Sequence, residues 1–183
     1  MGKFDAYNIP LKTLPLGTSE FEFHLDNAFF ALIGEEEIQK GDLKAVVTVN
    51  KNDKESALRF TIDGKVVVIC DRCLEEMQQP ITTSADLIVR FGKEFSDDGD
   101  NIVIVPEDPG AINVSWFLYE FTVLAIPVKH VHPYGFCNKE MTSKLSQHLV
   151  EDAPDEDTSF GDDGMSDPRW NALRNLRDGD SDE

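Results

Sequence analysis

The residues in this chain best suited to chemistry are three cysteines and two histidines. Cys70 and Cys73 stand two residues apart at the end of a β-branched run, VVVICDRCLEEM (66–77), and Cys137 closes KHVHPYGFC (129–137) behind His130 and His132. Zinc takes four thiolate or imidazole ligands in a tetrahedron, and a CxxC turn lets two thiolates reach one ion. Cys70, Cys73, His132 and Cys137 therefore make a candidate Cys3His site, although the second half lacks a paired CxxC and more than sixty residues separate the halves. Two other readings stay open. A strand followed by CxxC has the local order of a redox pair, with Arg72 favouring a thiolate while Asp71, Glu75 and Glu76 oppose it. The strand–helix alternation of a thioredoxin-like fold is missing, however. The third reading is three small thiols that do nothing beyond packing. No glycine-rich phosphate loop, GxSxG, HExxH or EF-hand loop occurs. With no acid–base pair or nucleophile in view, a non-enzymatic protein is expected.

Such a site needs a frame, and the hydrophobic pattern supplies strands. EFEFHLD sets Phe21 and Phe23 on one face with Leu25, and Glu22 and His24 on the other. Leu43, Ala45, Val47 and Val49 alternate within 42–52, as do Leu58, Phe60 and Ile62 within 57–63. Asp63-Gly64, ahead of KVVVIC, signals a hairpin turn. ITTSADLIVRF (81–91) is a further strand and IVIV (102–105) a short one. Then the period changes: NVSWFLYEFTVLA (113–125) suits a buried helix capped by Asn113 or Ser115 and interrupted by Pro127, and residues 139–152 a second helix. The expected fold is α+β, mainly antiparallel β of five to seven strands, with one or two helices and a disordered acidic C-terminal tail. Residues 1–150 form a single β-rich domain, 151–166 an acidic linker, and 167–183 a short helix with Asp167 as N-cap, Pro168 at its first position and an acidic end.

Charge sets the class of partner. The 183 residues hold 35 acidic and 17 basic side chains, net −18, and residues 151–183 alone hold 12 and 3. Nucleic-acid binders gain affinity through Lys and Arg contacts to phosphate, so so acidic a chain favours a basic protein partner, with direct RNA contact the alternative. Lys40, Lys44, Lys51 and Lys54 are interleaved with acids and form no basic patch. No apolar run approaches the roughly 18 residues of a membrane helix. The N-terminus has no apolar signal core, and an odd number of cysteines suits reduced thiols, so the cytoplasm is expected.

Several motifs occur together in a fixed order: YNIPLKTLPLGTSEFEFHLDNAFF at the start, CDRCLEEM, a strand ending VRFG, FLYEFTVLAIPVKHVHPYGFC, and DPRWNALRNL near the end. This set resembles the YceD family, the large ribosomal RNA subunit accumulation proteins, in the form whose tail carries DPRW. The resemblance implies a bacterial cytoplasmic factor in the synthesis, processing or stability of large-subunit ribosomal RNA, with no established catalytic activity. In many bacteria the family's gene neighbours one for a small basic ribosomal protein, and with the net charge this makes a basic ribosomal protein or ribosome-assembly component the expected partner. The positions that match are Cys70, Cys73, Leu74, Glu120, Pro127, His132, Cys137, Asp167, Pro168, Arg169, Trp170 and Leu173. More cysteine-rich members carry extra cysteines near Cys137, so any zinc site here needs a histidine to complete it. Asp167, Pro168, Arg169, Trp170 and Leu173 are the expected partner-binding segment, since Arg and Trp dominate many interfaces.

Overall fold

The computed structural model describes residues 4–35, 37–97, 99 and 101–148. The expected acidic linker and the Asp167–Leu173 segment lie outside the described residues. The strands are β1 (Asn8–Ile9), β2 (Gly17–Leu25), β3 (Lys40–Lys51), β4 (Ser56–Ile69), β5 (Glu76–Gly92), β6 (Ser96–Asp97), β7 (Ile102–Pro106) and β8 (Ile112–Asn113). Six of them form one sheet in the order β2-β3-β4-β5-β7-β6, while β1 pairs with β8. Every pairing is antiparallel except β5 with β7. The fold is thus α+β and mostly antiparallel.

Period-two alternation places one face of the sheet in the core. Leu43, Ala45, Val47 and Val49 of β3 are buried, as are Leu58, Phe60 and Ile62 of β4, Ile81, Leu87 and Val89 of β5, and Val103 and Val105 of β7. Three α-helices occur among the described residues: α1 (Asn27–Ile33), α2 (Ser115–Leu124) and α3 (Lys139–His148). The last two are those the sequence pattern predicts. The first arises because Asp26 does more than turn the chain: its carboxylate accepts the Phe29 amide at 3.0 Å, and Gly34, at φ 80°, ends the helix. About two turns of helix thereby carry Phe29 and Phe30 into the core. In α2, Leu118, Tyr119 and Thr122 are buried, and the Phe121 ring meets Phe60 of β4 edge-on at 5.0 Å. Asn113 accepts the Ser115 amide and fixes where this helix begins.

The expected hairpin at Asp63-Gly64 is not formed. β4 runs unbroken through both residues, with Gly64 opposite Leu43 on one side and Ile81 on the other. A Cβ on Gly64 would lie 2.3 Å from the Asp42 carbonyl oxygen and 2.6 Å from Leu43 Cα. Glycine stands there because the β3 backbone comes too close for a side chain, the usual reason for glycine within a strand. The consequence for the site is length. β4 and β5 extend together to the Ile69–Glu76 pair, so the hairpin turn falls at Cys70–Glu75.

Candidate metal centre

The CxxC stretch is therefore the tip of the β4–β5 hairpin. The ladder continues one step into it, with the Cys70 amide donating to the Glu75 carbonyl at 2.9 Å and Leu74 N–H closing on the Cys70 carbonyl at 2.9 Å. Leu74 adopts φ 59°, a left-handed conformation uncommon for a side chain without a polar group. This tight reversal points both thiols to the same side. Cys70 and Cys73 are 0% and 3% exposed, while Leu74 stands in solvent.

The second half arrives after α2. Pro127 ends the helical run, and the chain returns to the tip as an extended loop. His130 and Asp71 are doubly tied: the Asp71 amide donates to the His130 carbonyl at 3.0 Å, and the His130 amide donates to the Asp71 side chain at Oδ2, 2.8 Å away. His130 Nδ1 lies 3.0 Å from the Pro127 carbonyl and Nε2 lies 3.5 Å from Asp71 Oδ1. Those contacts direct the His130 ring away from the thiols. His132, two residues on, is turned toward them instead, its amide donating to Cys70 Sγ at 3.4 Å. Gly135, at φ 85°, then closes a Pro133–Phe136 turn that delivers Cys137. Asn138 secures the far end, donating to Glu75 Oε1 and accepting the Glu140 amide at the start of α3.

The outcome is that all four sequence-predicted ligands meet. One donor atom from each of Cys70, Cys73, His132 and Cys137 lies within 4.8 Å of every other. Cys70 Sγ and Cys137 Sγ are 4.0 Å apart, and Cys73 Sγ and His132 Nδ1 are 3.3 Å apart. Zinc bonds of about 2.3 Å to sulfur and 2.0 Å to nitrogen give tetrahedral edges of about 3.8 Å and 3.5 Å. The donor set fits that ion in both kind and spacing. All three cysteines are free thiols.

Electrostatics prepare the cluster for a cation. Burial alone pushes the Cys70 thiol up, but amides of His132, Cys73 and Arg72 and a bond with Cys73 outweigh it and bring the pKa down to about 6. Burial also opposes ionisation of Cys73, yet hydrogen bonds from the Asn138 and Glu75 amides and from His132 lower it. His132 is raised, first by its hydrogen bond with Cys70. Cys137 is raised by burial and by the two thiols beside it. A divalent metal binds thiolate and neutral imidazole, so loading this cluster would release the protons that its thiols and His132 hold.

Sequence reading missed the parts that hold this arrangement. Asp71, read only as a charge opposing a thiolate, ties the hairpin tip to the returning loop. Asn138 had a visible signal, an Asn directly before a helical segment. Asp71 had none, because its partner lies 59 positions away.

Comparison with known proteins fits this chain to one family. The family model described as large ribosomal RNA subunit accumulation protein YceD matches residues 58–177. The chain belongs to the YceD family. The matched span starts in β4 and takes in all four clustered residues, the whole of α2 and α3, and the Asp167–Leu173 segment. The sequence before Leu58, including the opening motif, lies outside the match. Membership gives the protein its role in accumulation of large-subunit ribosomal RNA and connects it with ribosomal components; the YceD description names no catalytic activity. No curated protein and no solved structure matches the chain. Among the described residues, no helix is long and apolar enough to cross a membrane.

Proposed function

We propose that this YceD protein is a non-enzymatic ribosome-biogenesis factor whose β domain, residues 1–150, carries one structural zinc ion on Cys70, Cys73, His132 and Cys137. What supports the metal is the convergence of four donor atoms of the right kind within 4.8 Å of one another. Four protein ligands leave no open position for a substrate or an activated water, which is the mark of a structural rather than a catalytic zinc site. The ion would pin the loop after α2 to the hairpin tip, and Zn²⁺ would supply charge and geometry without redox chemistry.

The partner is a basic ribosomal protein, attracted by a chain of net −18 and held, or kept from wrong RNA contacts, until assembly. The acidic linker 151–166 would give the Asp167, Pro168, Arg169, Trp170 and Leu173 segment reach to dock on that partner. The compartment consistent with this role is the cytoplasm.

Elemental analysis of untagged protein purified without chelator tests the metal. About one zinc per chain is expected, lost in Cys70→Ser/Cys73→Ser. A metal-free wild type would leave the cluster as packed thiols. Titration with each purified basic large-subunit protein in turn tests the partner. Saturable binding that weakens with salt and with deletion of 167–183 is expected; binding by none of them removes the proposal.

A further inference from the structure

The rim of the metal clip differs in character from the rest of the chain. Residues 121–139 are the longest stretch without an acidic side chain, nineteen residues in a protein with 35 acids. Within them Lys129 and Lys139 are exposed, and a half-buried Arg72 stands on the hairpin tip that meets the loop. The same loop holds Tyr134 at 98% exposure and Phe136 at 74%. Two aromatic side chains this exposed forgo a large gain in burial, which marks them as candidates for contact with a partner. Each of these five residues lies within three positions of a clustered ligand, about 11 Å of chain at most. Of the acids near the cluster, Asp71 is tied to the His130 amide, Glu75 to Asn138 and Glu76 to Lys40, and Glu140 is exposed next to Lys139.

We propose that this rim, formed by Tyr134, Phe136, Arg72, Lys129 and Lys139, is a binding site for single-stranded RNA. Charge favours RNA over the basic protein that the acidic surface attracts, because the stretch that carries both aromatics, 121–139, holds two lysines and no acid. It equally decides against duplex. A chain of net −18 cannot grip a double helix, which offers chiefly phosphate and 2′-hydroxyl surface. Unpaired bases offer their faces, and aromatic side chains stack on them whatever the sequence, with a few cations following the backbone. Two aromatics and three cations on one clip suit a short unpaired segment. The inference goes beyond the partner reading and leans on the metal reading only for the shape of the loop.

The test is a fluorescence-anisotropy titration of the full chain with a labelled single strand of roughly ten nucleotides and mixed sequence, and with the same strand annealed to its complement. Zinc content is measured on the same samples. Wild type should prefer the single strand, and Tyr134→Ala/Phe136→Ala should weaken it by at least about 10-fold at unchanged zinc content. Both side chains are exposed, so truncation removes no buried contact. Lys129→Ala/Lys139→Ala should flatten the salt dependence by about 1.4 in log–log slope, at about 0.7 per lost phosphate contact. Equal binding by wild type and the aromatic double variant overturns the proposal, as does no saturable binding at low salt. A double variant that instead loses a basic ribosomal protein assigns the rim to protein contact and also overturns it. Wild type that binds RNA but carries no zinc refutes the metal reading and leaves this one standing.

Discussion

Among the described residues, the β core buries 24 apolar side chains between the sheet and its helices, from Ile9 to Tyr119. The hairpin tip and the loop after α2 bury three, all of them cysteines, with only Met77, Val131 and Met141 packed beside them. Apolar burial stabilises by about 25 cal/mol per Å², so the first centre holds itself and the second cannot. Ordering a loop of this length costs about 1–2 kcal/mol per residue in backbone entropy. The clip meets that cost with hydrogen bonds and a convergent set of donors, which is how very small domains are held when a core is too small. The returning loop of the clip carries no acid, although the hairpin tip it meets holds Asp71 and Glu75.

Metal removal should separate the two centres most sharply. A ligand held at a thousandfold excess over its Kd stabilises what it binds by a factor of about 10³. Stripping zinc with a chelator should therefore speed exchange of the Asp71, His132, Phe136 and Thr142 amides by on the order of 10³-fold. Amides of β3 and β4 should keep their protection. Identical exchange with and without chelator would mean the clip folds on protein contacts alone, and the contrast drawn above would collapse.

The converse cut is Phe60→Ala, a fully buried ring that meets Phe121. It should cost about 3–5 kcal/mol in chemical denaturation while the folded fraction keeps its full complement of zinc. A cost under about 1 kcal/mol would show that β4 and α2 are not packed as one core.

Asp71→Ala sits between the centres. Its carboxylate accepts the His130 amide and faces the His130 ring, holding the loop that presents His132. Loss of such an outer-shell partner weakens metal sites by about 10–100-fold, and the lower end is expected because Asp71 touches no ligand side chain. Competition with a chromophoric chelator measures the change. Unchanged affinity would reduce Asp71 to a turn residue. Denaturation of the sheet should not move.

These variants also mark which parts the sequence revealed. Leu43 to Val49 and Leu58 to Ile62 were legible because one face of an antiparallel strand is buried and the other wet, which writes a period of two into the chain. The four ligands were legible because thiols and imidazoles are few. Gly64 misled, since a tight turn and a close backbone approach both call for glycine and local sequence cannot separate them. α1 hid in a run too short to show a helical period. The parallel β5–β7 pairing and the Asp71–His130 tie are long-range choices made by the whole fold.

The smallest effect is expected on the outer face of the sheet. Arg59 of β4 and Asp86 of β5 are cross-strand partners, with Nε to Oδ1 at 2.7 Å and Nη2 to Oδ2 at 3.1 Å, and both are well exposed. The Arg59 hydrogen bonds hold the Asp86 carboxyl below its ordinary range. A carboxyl depressed in the folded state stabilises above its unfolded pKa, and that contribution fades as pH falls through the folded one. Water and salt screen an exposed pair, so the stability involved is slight. In Arg59→Ala, an NMR titration should find Asp86 back in the ordinary carboxylate range, while the thermal midpoint at neutral pH and the zinc content stay where they were. A clear fall in the midpoint would mean that the outer ladder of charges shares the work of holding the sheet, and the contrast between a self-sufficient core and a metal-dependent clip would have to be redrawn around three centres.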